Sequence, residues 1–248
     1  MSQEVIREHY SRLGSRYEEY LYYSDDFVRR LTSKMIEDLD LHKEDVLVDL
    51  GGGTGMYSKD ILEQVSLDNP VVLVDPFEEM LAHARDDERL ECVCTDALSF
   101  SQQPRQYDKV LMKEAVHHVE DRPRLFDNVH DQLRDEGTIL LVHVPPDLDY
   151  PLFEKALERS KRWQADPDEL EEQLSEAGFE VERDGLDLSH RMPKETYFRM
   201  VEAQYMSVLS SFSDGELEEG LAEMAETYAD TDVLEFTDRF DFIAGRKS

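Results

Sequence analysis

The segment Val46-Leu47-Val48-Asp49-Leu50-Gly51-Gly52-Gly53-Thr54-Gly55 constrains this chain more than any other. A branched apolar run, the mark of a buried strand, passes directly into a glycine-rich turn, and a helical pattern follows from Ser58 to Val65. Glycine there lets the backbone turn sharply and lets a ligand reach the main chain. A dinucleotide fingerprint begun at Gly51 needs glycine where Met56 stands, which weakens a pyrophosphate reading; a Walker loop fails for want of its Gly-Lys-Ser/Thr ending.

The same alternation extends along the first 145 residues. Short apolar runs at Val46 to Leu50, Val71 to Asp75, Leu90 to Cys94, Asp108 to Met112 and Thr138 to Val144 read as buried strands. Helical patterns at Ser58 to Val65, Phe77 to Ala84 and Arg124 to Leu133 separate them, while the polar stretch Ser99 to Gln106 reads as a loop. Strand alternating with helix implies a parallel sheet with right-handed crossovers. Further on, Asp166-Pro167-Asp168-Glu169 starts a helix that Gly178 ends, and Phe179 to Leu188 and Val233 to Ala244 alternate like strands. Between those two lies a helical stretch from about Lys194 to Tyr228, broken near Ser213-Asp214-Gly215 and too long for a hairpin loop. The expected organisation is an α/β core over residues 41–188 and 233–248, an N-terminal helical extension over 1–40 and a helical cap inserted over 189–232.

The spacing acid-x-G-x-G-x-G, met by Asp49, Gly51, Gly53 and Gly55, resembles the first motif of class I S-adenosylmethionine-dependent methyltransferases. Asp75 closes the second strand, where a carboxylate can accept both ribose hydroxyl protons. Asp96 after the third strand looks like the family's adenine-contacting acid, and Tyr107 to His118 is similar to the segment after strand four in small-molecule methyltransferases. The resemblance implies a Rossmann-like, mostly parallel seven-stranded sheet with an antiparallel last strand, S-adenosyl-L-methionine as cofactor and a small-molecule methyl acceptor. It also implies a cofactor-binding set of Asp49, Gly51, Gly53, Gly55, Asp75, Pro76, Asp96, Ala97 and Lys113. The segment His9 to Tyr17 resembles the aromatic stretch that folds over the cofactor in ubiquinone/menaquinone and trans-aconitate methyltransferase relatives, which makes Tyr17 a candidate lid. The likeness covers roughly residues 40 to 185; it departs at Leu133-Arg134-Asp135-Glu136-Gly137, where many relatives read Leu-Lys/Arg-Pro-Gly-Gly.

Methyl transfer from a sulfonium requires mainly alignment of a nucleophile and removal of its proton. His117 and His118 after the fourth strand and His143 at the end of the fifth are the candidate bases, since open α/β sheets bind ligands at that edge. Metal ligation is not expected, because the histidines lack close ligand spacing, and Cys92 and Cys94 read as packing residues in a strand. In the cap, Arg191 and Arg199 are candidates for holding a substrate carboxylate, and Tyr197 for contacting an aromatic or apolar acceptor.

Lysine and arginine number 27 against 58 acids, a net charge of -31, which disfavours nucleic acid and anionic membrane as partners. Without a long apolar stretch or a secretory signal core, a cytoplasmic location is expected. The competing readings are a non-catalytic S-adenosylmethionine-binding module for regulation or assembly, and a nicotinamide oxidoreductase.

Overall fold

The computed structural model describes His9 and residues 24–248; the Tyr17 lid and most of the N-terminal extension lie outside the described residues. Helix α1, Asp25–Leu39, starts where Ser24 accepts a hydrogen bond from the Phe27 amide and where Asp25 and Asp26 meet the positive end of the helix dipole. It buries Phe27, Val28, Leu31, Met35 and Leu39 on one face and ends at Asp40, whose φ of 49° is left-handed.

Five parallel strands follow with their crossovers: β1 Leu47–Leu50, β2 Val71–Asp75, β3 Leu90–Cys94, β4 Tyr107–Lys113 and β5 Leu133–His143. Between them run α2 Met56–Gln64, α3 Glu78–Leu81, α4 Ala97–Phe100 and α5 Arg122–Gln132. Helices α6 Glu154–Trp163 and α7 Pro167–Glu176 lead to β6 Glu180–Pro193; then α8 Lys194–Glu202 and α9 Asp214–Thr227 precede β7 Val233–Arg246. The sheet order is β3-β2-β1-β4-β5-β7-β6, with β7 antiparallel to β5. This is the Rossmann-like arrangement that the family resemblance implied, with the parallel strands that the alternating pattern predicts.

The elements differ locally from the sequence pattern. The polar stretch after Asp96 begins with the short helix α4, because the Asp96 carboxylate accepts from the Ser99 amide and caps it. Only Glu78–Leu81 of the expected Phe77 to Ala84 helix is α-helical. Helix α6 gave no distinct sequence signal, and β6 runs five residues past the expected Leu188, to Pro193. Strand β3 lies at the sheet edge, so Cys94 is exposed and Cys92 only half-buried.

The described residues divide into two compact units. One comprises residues 24–143, 165–186 and 240–248, and its core packs Val48, Leu50, Val74, Val110, Met112 and Leu141 of the sheet against Phe126, Val129, Leu170 and Leu174 of α5 and α7. Each such side chain contributes roughly 1.5–3 kcal/mol by leaving water. The other comprises residues 144–164 and 187–239, so it draws α6 and its approach, as well as the insertion, into a separate core. There Phe153 packs edge-on against Phe212 with centroids 5.1 Å apart, and Gly220 makes room for the Phe153 ring. Arg159 lies 3.6 Å from the Phe212 ring centroid and donates to the Ser211 carbonyl.

Candidate active site

Strands β1, β2 and β4 are adjacent and parallel, so their carboxyl ends bring Asp49, Asp75 and Lys113 to one edge of the sheet. The turn after β1 is tied down by the Gly51 and Gly52 amides, which both donate to the Val74 carbonyl. Gly51, Gly53 and Gly55 all take positive φ, at 77°, 57° and 74°. Gly52 is glycine for a different reason: a Cβ there would lie 2.3 Å from Leu73 Cδ1 and 2.6 Å from Asp49 Oδ2. The motif's spacing left Gly52 unassigned, yet any side chain there would collide with the buried carboxylate.

Asp75 is 6% exposed. One oxygen accepts from the Gly53 amide at 3.0 Å and the other from the Phe77 amide at 2.9 Å. Burial raises its pKa to about 6, with those two amides opposing the rise. Asp49 is 3% exposed and accepts from the Ser58 hydroxyl at 2.6 Å. Burial likewise pushes it up to about 6; Ser58 opposes this, the charge of Asp75 adds to it and Lys113 opposes it. Lys113 Nζ lies 4.7 Å from the Tyr57 ring centroid and 5.4 Å from that of Phe240, a cation held between two aromatic faces. Ser58, Tyr57 and Phe240 carried no sequence signal, being set beside these groups only by the fold.

Pro76 is exposed beside Asp75, and Ala97 is half-buried at the start of α4, after Asp96. The chain then leaves β4 through Glu114, a non-glycine residue at φ 51° whose amide donates to the Val142 carbonyl. That turn leads into a 3₁₀ turn, Val116–His118, in which the two imidazoles lie with centroids 4.1 Å apart, tilted by 55°. Burial first, then the charges of His118, His143, Arg122 and Lys113, hold His117 well below the usual imidazole value. Burial lowers His118 to about 4. Both rings are therefore neutral at pH 7. His143 is fully buried at the end of β5, opposite Asp241 of β7.

The remaining candidates lie in the other unit. Arg191 is exposed and reaches Glu235 at 3.2 Å; Arg199 is exposed and contacts the Glu195 carbonyl and Thr196 of its own helix. Tyr197 is fully buried in that unit's core, its hydroxyl 3.3 Å from that of Tyr205. Among the described residues no cluster of three or more His, Cys, Asp or Glu is placed to hold a metal ion.

These groups fit a nucleoside with a cationic tail. Two buried acids can accept hydrogen bonds from hydroxyl and ammonium groups, and the run Gly51-Gly52-Gly53 presents bare backbone beside them. The fold is that of the class I S-adenosylmethionine-dependent methyltransferases. Residues 48–141 match the family described as a methyltransferase domain, so the chain carries a methyltransferase domain, whose cofactor is S-adenosyl-L-methionine.

No curated protein matches the chain in sequence. Among solved structures it is similar to an Anabaena variabilis protein described as a methyltransferase from an antibiotic biosynthesis pathway. That match has 20% identity and a TM-score of 0.68, covering 87% of this chain and 96% of the other. It is similar also to a Haloferax volcanii methyltransferase solved with the activator Trm112, at 18% identity and a TM-score of 0.61, covering 97% and 96%. A third is phosphoethanolamine N-methyltransferase 2 of Haemonchus contortus, solved with phosphomonomethylethanolamine and S-adenosylhomocysteine. There the identity is 16% and the TM-score 0.60, covering 97% of this chain but 59% of that one. At these identities the likeness is one of fold.

Proposed function

We propose that the chain transfers the methyl group of S-adenosylmethionine to a small-molecule acceptor. The observation that carries this reading is the pair of buried carboxylates, Asp49 and Asp75, flanking the glycine loop at the edge where the neutral His117 and His118 also lie. Asp75 receives the ribose hydroxyls, Asp49 faces the amino-acid portion, Gly51, Gly53 and Gly55 admit that portion against the backbone, and Asp96 with Ala97 borders the base. When bound, the cofactor supplies an electrophilic methyl together with its own leaving group. His117 or His118 takes the acceptor's proton, a role that needs an unprotonated ring, and His143 supports the edge from β5.

A net charge of -31 supports a small acceptor over nucleic acid, whose backbone demands cations. No helix among the described residues is long and apolar enough to cross a membrane. The exposed, locally paired Arg191 and Arg199 supply little support for a carboxylate clamp in the cap, since solvated guanidinium groups bind anions weakly.

The test is incubation of the protein with methyl-labelled cofactor and a metabolite extract. Formation of S-adenosylhomocysteine with label in a small product supports the reading, and the product mass identifies the atom methylated. Saturable cofactor binding without turnover supports the non-catalytic module instead.

A further inference from the structure

The edge beyond β4 carries cations that proton transfer alone does not require. Arg122 opens α5, and its Nη2 stands 3.6 Å from Glu169 Oε1, a loose pair. That oxygen is already engaged, accepting from Gln173 Nε2 at 2.9 Å. Arg122 Nη1 is shielded from solvent and has no hydrogen-bond partner among the described residues, and the same holds for His117 Nδ1. A buried donor without an acceptor costs the fold stability, more so when it carries charge. The 3₁₀ turn that carries His117 ends four residues before Arg122 opens α5, which sets the two shielded nitrogens on one short stretch of chain, and the charges of Arg122 and Lys113 both act on His117. The chain has 58 acids, yet among the described residues none accepts from Arg122 Nη1.

We propose that Arg122 and His117 form the anion subsite of the methyl acceptor, donating from Nη1 and Nδ1 to the oxygens of its carboxylate or phosphate group. This rests on the transfer reading above and names its substrate class. An anion at Nδ1 also keeps the ring proton on that nitrogen, which leaves the lone pair on Nε2 for the acceptor's proton. The rival role for Arg122 is a purely structural bridge from α5 to Glu169 of α7.

The experiment follows the histidine ring resonances of the full-length protein by NMR, with and without S-adenosylhomocysteine. Inorganic phosphate or succinate is titrated in at constant ionic strength against chloride. A saturable shift of the His117 ring is expected, and the tighter of the two probes identifies the acceptor's group. Arg122→Gln should weaken that binding at least tenfold, with Arg122→Lys recovering part of it and S-adenosylhomocysteine affinity within twofold of wild type in both. Glu169→Gln, which frees the guanidinium, should leave anion affinity equal or higher. No saturable shift with either probe, or an unchanged dissociation constant in folded Arg122→Gln, overturns the proposal. Equal losses of melting temperature in Arg122→Gln and Glu169→Gln with identical His117 titrations would establish the bridge instead. Failure of S-adenosylhomocysteine to bind would strike the cofactor reading, whereas a saturable anion shift in its absence would still stand for Arg122 and His117.

Discussion

Cofactor binding should weaken steeply between pH 7 and pH 5, because Asp49 and Asp75 both titrate near 6 where ordinary aspartates titrate near 4. The cause is burial of two acids around one glycine loop, so each is half-protonated in the free protein close to pH 6. Ribose hydroxyls and an ammonium group favour the ionised carboxylates, so binding releases the protons that the free protein holds. From pH 7 to 5 the ionised fraction of a group with pKa 6 falls about tenfold. Affinity should then fall about tenfold if one carboxylate must be ionised and about a hundredfold if both must be, equivalent to ~1.4 or ~2.7 kcal/mol. The sign for folding is opposite. These raised acids contribute stability that is full below pH 4 and lost as pH rises through 6, so on their account the free protein gains stability in acid while the complex loses its advantage. Calorimetry with S-adenosylhomocysteine in two buffers of different ionisation enthalpy measures both affinity and proton release. Asp75→Asn, which cannot ionise, should remove one of the two proton-linked steps. Affinity that stays flat from pH 7 to 5 with no proton release would refute the placement of both carboxylates at the cofactor.

Other substitutions test separate parts of the site. Asp75→Ala should weaken S-adenosylmethionine binding by roughly 1.5 to 3 kcal/mol, the worth of hydrogen bonds to a charged group, and an unchanged calorimetric affinity would remove Asp75 from the site. Gly52→Ala should lower stability by about 1–3 kcal/mol through its clash with Leu73 and Asp49, and a wild-type denaturant midpoint would contradict that packing. Alanine at His117 or His118 should lower kcat about a hundredfold for whichever is the base, with cofactor affinity retained. Since His118 is held near 4, turnover carried by it should stay level down to about pH 5, and a fall centred on 6.5 would point elsewhere. Arg191→Ala and Arg199→Ala should each leave KM within about twofold, as expected of exposed pairs; a tenfold rise in either would return the anion site to the cap.

Much of the fold was legible because its signals are local. Branched runs of about five residues, one carrying Asp49 next to its end and one ending in Asp75, and a glycine turn before a helix, declare parallel strands and their carboxyl ends without any tertiary information. The insertion before β7 was visible as a helical stretch between two alternating ones, whereas α6, with its polar, mixed-charge sequence, was not. Asp96 is an instructive middle case: its position after β3 marked it for the cofactor, and the structure adds that the same carboxylate caps α4.

The sequence by itself determined the parallel sheet and the acids at the strand ends, since strand periodicity, glycine's freedom at positive φ and proton acceptance by a carboxylate belong to single residues and near neighbours; the class of cofactor came from the resemblance of the spaced motifs to a known family. Only the tertiary structure decided that Gly52 abuts Asp49, that Ser58 donates to it and that Lys113 lies between Tyr57 and Phe240. It also separated the arginines, exposing Arg191 and Arg199 and shielding an Nη of Arg122 from solvent. Charge and residue type are the same in all three. Desolvation and the absence of an acceptor depend on which strands and helices pack together, and that is settled by burial across distant segments of the chain.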